Sequence, residues 1–256
     1  MKYGNSRKGG EDPGREPSGA QPGVDDILRQ GLELMGLALY VDSDGRARLL
    51  SYIEELKKWN RKMNLIARQA DDLQIIENHF LDSLTLLPLI QSWPGSGATT
   101  LRPALLDIGT GADFPGLVLK AACRELAVTL VEPRGKRVSF LKHIIRQLQL
   151  DSITVVHGRI DGGHGHPAGL VPGAYDIITS RALTDIGTFL EMAAPFCSPA
   201  GRVVCMKGPQ GFAEVEDIQA EGGPRGFRLA DSREWCLPFS GAQRCLFSFA
   251  VQPVSG

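Results

Sequence analysis

Four residues carry the chemical argument: Asp107, Gly109, Gly111 and Glu132. The first three lie in LLDIGTGADFPGLVLKAA, residues 105–122, which reads as a strand, a glycine turn and the start of a helix. Glycine lets a chain turn tightly and lets a ligand approach with no β-carbon in the way. Asp107 ends the strand, where it can accept hydrogen bonds from a cationic or amino group. Glu132 ends the next strand, at nearly the offset of about 20 residues where an acidic side chain grips a ribose hydroxyl in dinucleotide folds. Such a turn fits a dinucleotide or S-adenosylmethionine (SAM), and it can also do no more than pack helix on strand. The dinucleotide version usually has Gly or Ala where Pro115 stands. A proline there removes an N–H from the helix start and weakens a pyrophosphate site. SAM carries no phosphate and loses less, so the spacing tilts toward SAM.

These residues need a parallel sheet to hold them. After residue 104 short apolar strands alternate with helical patterns: ALLDIG, FPGLVLKAACRE, AVTLVEP, GKRVSFLKHIIRQLQL, ITVVHGRI, YDIITSRA, IGTFLEMAAPFC and GRVVCMKG. Val138, Leu141, Ile145 and Leu148 share one side of the second helix. Alternation of this kind predicts a doubly covered parallel α/β sheet. The tail FRLADSREWCLPFSGAQRCLFSFAVQP adds two strands antiparallel at the sheet edge. Before the sheet, residues 23–92 show apolar residues at helical spacing and predict a helical extension. Three segments form it: VDDILRQGLELMGL, GRARLLSYIEELKKWNRKMNLI with Leu49, Ile53, Leu56 and Met63 on one face, and ADDLQIIENHFLDSLTLLPLI. Residues 93–104 read as a linker. Residues 1–22 are rich in Gly, Pro and charge, and their composition predicts disorder. The sheet domain is placed at 105–256.

Composition removes several classes of function. The net charge of −1 is no nucleic-acid signature, so any such contact must come from a local patch. No apolar run is long enough to span a bilayer, and the basic residues near the start have no apolar core behind them. Five cysteines, an odd count with no C-x-x-C pair, argue against a disulfide framework or a zinc site. Reduced thiols in a cytoplasm are the default. His164 and His166 lie two apart in the Gly-rich stretch 161–174 and read as solvated loop histidines, so no metal is expected.

KWNRKMNLI at 58–66, NHFLDSL at 78–84, LLDIGTGADFPG at 105–116, GKRVSFLK at 135–142, TSRA at 179–182 and MKG at 206–208 occur in this order. Together they resemble the RsmG (GidB) family of bacterial ribosomal RNA methyltransferases, over most of the chain from about Leu49 to Gly208. The resemblance implies a Rossmann-like SAM-dependent methyltransferase sheet behind a helical extension. It also implies methylation of the N7 of one guanine in 16S ribosomal RNA. Residue by residue, it puts Gly109 and Phe114 at the first loop and Glu132 at the ribose. Ile160 and Asp161 flank the adenine, and Arg181 ends the fourth strand at the cofactor. The chain departs from the family by Asp113 in place of glycine and by the longer loop after Asp161.

Guanine N7 has a free lone pair and no proton to lose, so its methylation needs no general base. The task is to hold N7 in line with the methyl group. Positioning candidates are Arg181, Lys207 and Asn64. Arg134, Lys136, Arg137, Arg159 and Lys207 are candidates for RNA phosphates. Asn60 shares a helix face with Asn64, and His79 lies three residues before Asp82. With Trp59, these side chains either pin the extension to the sheet or line the guanine pocket; Trp59 reads as a pin. A monomer acting on 16S RNA or the small ribosomal subunit is expected. The competing readings are a nicotinamide-dependent oxidoreductase, a non-catalytic ribosome-binding protein whose cofactor loop is spoiled by Asp113, and a small-molecule methyltransferase.

Overall fold

Seven strands form one sheet in the order β3-β2-β1-β4-β5-β7-β6. The computed structural model describes residues 22–93, 103–110, 114–160, 166–224 and 226–252. The expected disordered tail, apart from Pro22, and nearly all of the expected linker lie outside them. So do Gly111, Asp113, Asp161 and His164.

The first five strands are parallel: β1 (Ala104–Ile108), β2 (Ala127–Glu132), β3 (Ile153–His157), β4 (Tyr175–Arg181) and β5 (Cys197–Lys207). Their apolar runs are what a sheet buried on both faces requires. Strand order runs outward from β1 through β2 to β3 and, on the other side, from β4 to β5. The reversal point between β1 and β4 is where open α/β sheets bind ligands, beyond the carboxyl ends of the strands. β6 (Phe227–Cys236) and β7 (Gln243–Val251) are antiparallel, as the tail predicts, and β7 slots between β5 and β6.

Helix α1 (Val24–Leu34) opens the extension. α2 (Ser43–Met63) is capped by the Asp42 side chain, which accepts from Gly45 N at 2.6 Å. Leu49, Ile53 and Leu56 are buried along one face of α2; Met63 is only half-buried. α2 reaches α6 (Gly116–Ala122) through Arg48, whose Nε donates to the Ala121 carbonyl at 2.7 Å. It reaches α7 (Gly135–Gln147) through Trp59, whose ring lies 5.4 Å from Phe140 and 5.0 Å from His143. The extension and one sheet face thus share a single core. The other face is covered by α8 (Ile186–Ala193), packed against the far sides of β1, β4 and β5.

Several boundaries differ from the sequence expectation; α8 stops at Ala193 and Cys197 begins β5 instead of ending that helix, and β3 stops at His157. The third helical segment is broken into α3 (Asp72–Ile75), a π-helix (Ile76–Leu81), α4 (Asp82–Leu84) and α5 (Leu87–Gln91). Helix α6 stops at Ala122 instead of running on through Cys123 and Arg124. An unpredicted helix, α9 (Gly211–Ala220), follows β5; it buries little beyond Gly211 and Val215, so its apolar period is faint.

Within the π-helix, the Glu77 carboxylate is buried and accepts from Phe239 N at 2.6 Å and Ser240 N at 2.8 Å. That contact ties the turn between β6 and β7 to the extension.

Candidate active site

The glycine turn is built from behind by Asp107. Its Oδ2 accepts from Thr110 Oγ1 at 2.7 Å and from Gly116 N, the first N–H of α6, at 2.8 Å. Burial pushes the Asp107 carboxyl up to about 6, against the pull of those two donors. Oδ1 is buried with no partner among the described residues. Gly109 adopts φ +71, the left-handed conformation that glycine takes without strain. Leu183, from the turn after β4, lies directly over it: a β-carbon on Gly109 would come within 2.6 Å of Leu183 Cδ1.

Two cavities meet at this Gly109–Leu183 contact. The smaller, about 380 Å³, is a slot at the ends of β1 and β2, walled by Ile108, Val131, Pro133, Ile160 and Met192, with Arg159 at its rim. Its apolar walls suit a flat heteroaromatic ring. Glu132 ends β2, is buried, and accepts from Arg134 N at 2.8 Å. The slot, the bare Cα of Gly109 and the acidic residue at the strand end fit the adenosine and the chain of SAM.

The larger cavity, about 740 Å³, is a cleft between the extension and the carboxyl ends of β1, β4 and β5. Asn78, His79 and Asp82 line it from the extension. Thr110, Phe114, Arg181 and Lys207 line it from the sheet, Arg134 and Arg137 from the start of α7, and Arg244 from β7. Arg181 is its hub. One guanidinium nitrogen donates to the Asn78 carbonyl and reaches Asp82 Oδ2 at 3.3 Å; the other lies 3.0 Å from His79 Nδ1. The same guanidinium sits 4.9 Å from the Phe114 ring centre, and His79 stacks on that ring at 4.6 Å.

Five cations line the cleft, and four of them face carboxylates. Lys207 Nζ donates to Glu214 Oε2 at 2.8 Å and to the Thr184 carbonyl at 2.7 Å. Arg137 lies 3.9 Å from Glu132, and Arg181 and Arg244 both face Asp82, at 3.3 and 3.6 Å. Lys207 is therefore held by α9 and does not stand out as a loose phosphate ligand. Lys136 is exposed on the first turn of α7, outside the cleft lining.

Asn64 does not reach the cleft. It caps α2 in the left-handed conformation, with φ 50, and its side chain accepts from Arg68 Nε at 2.6 Å on the exposed surface. Asn60 stays inside, where its Oδ1 accepts from Ile66 N at 2.9 Å and fixes the turn after α2. Asn78 opens the NHFLDSL motif without standing out within it, and Leu183, Glu214 and Arg244 carry no sequence signal of their own. Glu214 sits on the unpredicted helix, and Arg244 enters only because β7 returns beside β5. Burial pushes the thiols of Cys197 and Cys205 up to about 11 and about 12, which keeps both protonated and unreactive.

Residues 46–225 match the family model described as rRNA small subunit methyltransferase G. The ribosomal RNA small subunit methyltransferase G of Desulfotalea psychrophila is 45% identical over 222 residues, 86% of this chain and 94% of its own length. Its counterpart in Myxococcus xanthus is 39% identical over 229 residues, 89% of this chain and 97% of its own. A SAM dependent methyltransferase from Aquifex aeolicus shares the fold, with a TM-score of 0.50 at 19% identity over 78% of this chain and 98% of that one. The family match runs from the extension through α9 and so takes in the glycine turn, the slot and most of the cleft wall; the chain belongs to the rRNA small subunit methyltransferase G family.

Proposed function

We propose that the chain transfers the methyl group of SAM to the N7 of one guanine in 16S ribosomal RNA. Membership in the family makes it a SAM-dependent rRNA methyltransferase. The observation that carries the finer reading is the junction at Gly109 and Leu183. There an apolar slot suited to an adenosine opens beside a cation-lined cleft wide enough for a base and its phosphate.

When bound, SAM supplies an electrophilic methyl group on a sulfonium. The chain's own residues then have three tasks. Ile160, Pro133 and Val131 grip the ring end, Glu132 holds the ribose, and Gly109 gives the backbone room. Phe114, His79 and Arg181 form the wall against which a flipped-out base is held, because chemistry on a base requires it to leave its stack. Arg134 and Arg137 take the flanking phosphates, with Lys136 exposed outside the cleft and Arg159 at the slot as further phosphate contacts. No side chain has to remove a proton from N7. The positive charge that arrives on the guanine meets cations already balanced by Asp82, Glu132 and Glu214, which limits the repulsion.

The extension, residues 23–92, serves as the half of the substrate cleft that the sheet domain, 105–256, lacks. No described helix is long and apolar enough to cross a membrane. Among the described residues the large exposed apolar side chains are few, which supports a monomer, and an rRNA substrate supports action in the cytoplasm.

The test is transfer of labelled methyl from SAM to small ribosomal subunits that lack the modification, followed by mapping of the product. Label at the N7 of a single guanine is the expected result. Label on another atom, or on no RNA at all despite SAM binding, overturns it.

A further inference from the structure

His79 occupies an unusual electrostatic position in the cleft wall. It belongs to the six-residue π-helix Ile76–Leu81, a distortion found disproportionately at functional sites. One ring face lies on Phe114, 4.6 Å between centres and 19° between planes. The Nδ1 atom faces an Arg181 nitrogen at 3.0 Å. A guanidinium can only donate, so Nδ1 must be the acceptor of that bond. The single proton of the neutral imidazole is therefore on Nε2. Burial, and then the neighbouring Arg181 charge, lowers the His79 pKa from 6.5 to about 3, so the ring remains neutral at working pH. Among the described residues nothing accepts from Nε2.

The cleft thus offers a neutral donor, locked in one tautomer, among five cationic side chains. A phosphate is better served by those cations. A neutral donor suits a neutral acceptor, and it adds no repulsion when the base becomes positively charged. On the edge that carries N7, guanine and adenine differ only at position 6: guanine presents a carbonyl acceptor and adenine an amino donor. An enzyme that presents N7 to a methyl group can read position 6 beside it.

We infer that His79 recognises O6 of the target guanine by donating a hydrogen bond from Nε2, and so selects guanine over adenine. The inference rests on guanine-N7 methylation as the reaction. Arg181 is then a positioning residue: it fixes which imidazole nitrogen carries the proton.

The test pairs a variant with an altered base. Small-subunit RNA is ligated so that the target guanine is replaced by 2-aminopurine, which keeps N7 and lacks O6, and is assembled into subunits. Wild type, His79→Phe and His79→Gln are compared on both substrates, with the SAM Kd and the melting temperature of each protein. Phe keeps the stacking on Phe114 and removes the donor; Gln restores a neutral N–H. On guanine, His79→Phe is expected to lower kcat/KM about tenfold, the size of one hydrogen bond. His79→Gln recovers a large part of that loss. On 2-aminopurine the wild type falls to the level of His79→Phe, and the variant loses less than about twofold further. Equal losses on both substrates, or a loss explained by a weaker SAM Kd, overturn the inference and leave the methylation reading intact. If the wild type puts no methyl on guanine N7, the methylation reading falls first and the inference with it.

Discussion

Leu183 rests on Gly109, and that contact lies where the apolar slot meets the cation-lined cleft. A β-carbon at position 109 meets Leu183 Cδ1 at 2.6 Å, and the φ of +71 is strained for any residue but glycine. Left-handed backbone costs about 1–2 kcal/mol for an ordinary L-residue. Gly109→Ala is therefore expected to weaken SAM binding at least about tenfold by calorimetry. The double variant with Leu183→Ala regains part of it. If the double variant binds no better than Gly109→Ala, backbone strain alone accounts for the loss and the Leu183 contact is irrelevant.

Asp107 couples the glycine turn to pH. Its carboxyl is raised from 3.8 to about 6 in the fold, so between those values the native state holds a proton that the unfolded chain has released. Its contribution to stability is full below 3.8 and is lost as pH rises through about 6. Cofactor binding has the opposite sign: only the ionised carboxylate accepts strongly from both Thr110 and Gly116. SAM affinity should drop as pH falls through about 6, and Asp107→Asn should bind weakly at every pH. A binding curve flat from pH 5 to 8 in the wild type would exclude Asp107 as the coupling group.

His79 gives the second titration. Its pKa is lowered from 6.5 to about 3, so below 6.5 the unfolded chain takes a proton that the native state refuses. Its share of stability is full above 6.5 and is lost as pH falls toward 3. In urea midpoints measured against pH, His79→Phe should remove part of the acid-side decline. An unchanged difference between wild type and variant from pH 7 to 4 would mean that the ring titrates normally.

Glu214 is expected to matter for stability out of proportion to its place on a faint helix. It receives Lys207 at 2.8 Å and the Ile186 N–H at 2.8 Å, which joins β5, α8 and α9. Glu214→Ala leaves a mostly buried ammonium without its carboxylate, a change worth about 1–3 kcal/mol. Chemical denaturation should show a loss of that size, and a change below about 0.5 kcal/mol would mark the ion pair as incidental.

Arg134 is the cleft cation with no carboxylate within ion-pair distance among the described residues. Arg134→Ala should reduce the slope of log affinity for RNA against log salt by about one, with SAM binding unchanged. An unaltered slope would place the RNA backbone elsewhere.

The sheet was legible because its strands are buried on both faces. Runs such as Leu105–Leu106 and Leu130–Val131 can only be core, and the helices between them keep a clear period. The candidate site was legible where its residues are local in sequence: Gly109 and Glu132 stand at strand ends that the pattern itself marks, whereas Ile160, three residues past the end of β3, came only from the family resemblance. It was not legible where partners come from far along the chain. Arg244 reaches the cleft only through the return of β7, and Glu214 through α9, whose period is too weak to read. The π-helix hides for another reason, because α and π turns draw on the same residues. Asn64 shows the converse: a plausible spacing was overruled by capping geometry, which turned its side chain outward.

The Glu77 contact has a consequence for synthesis. Its two N–H donors, from Phe239 and Ser240, lie 162 and 163 residues downstream, and Arg244 follows them. β7 must also be present before β6 can join the sheet. A nascent chain that has emerged only as far as β5 already carries every residue that lines the apolar slot, but it lacks Arg244 and the Phe239–Ser240 turn that complete the cleft side. The slot's residues are therefore all synthesised before the cleft can be closed, which waits for β7.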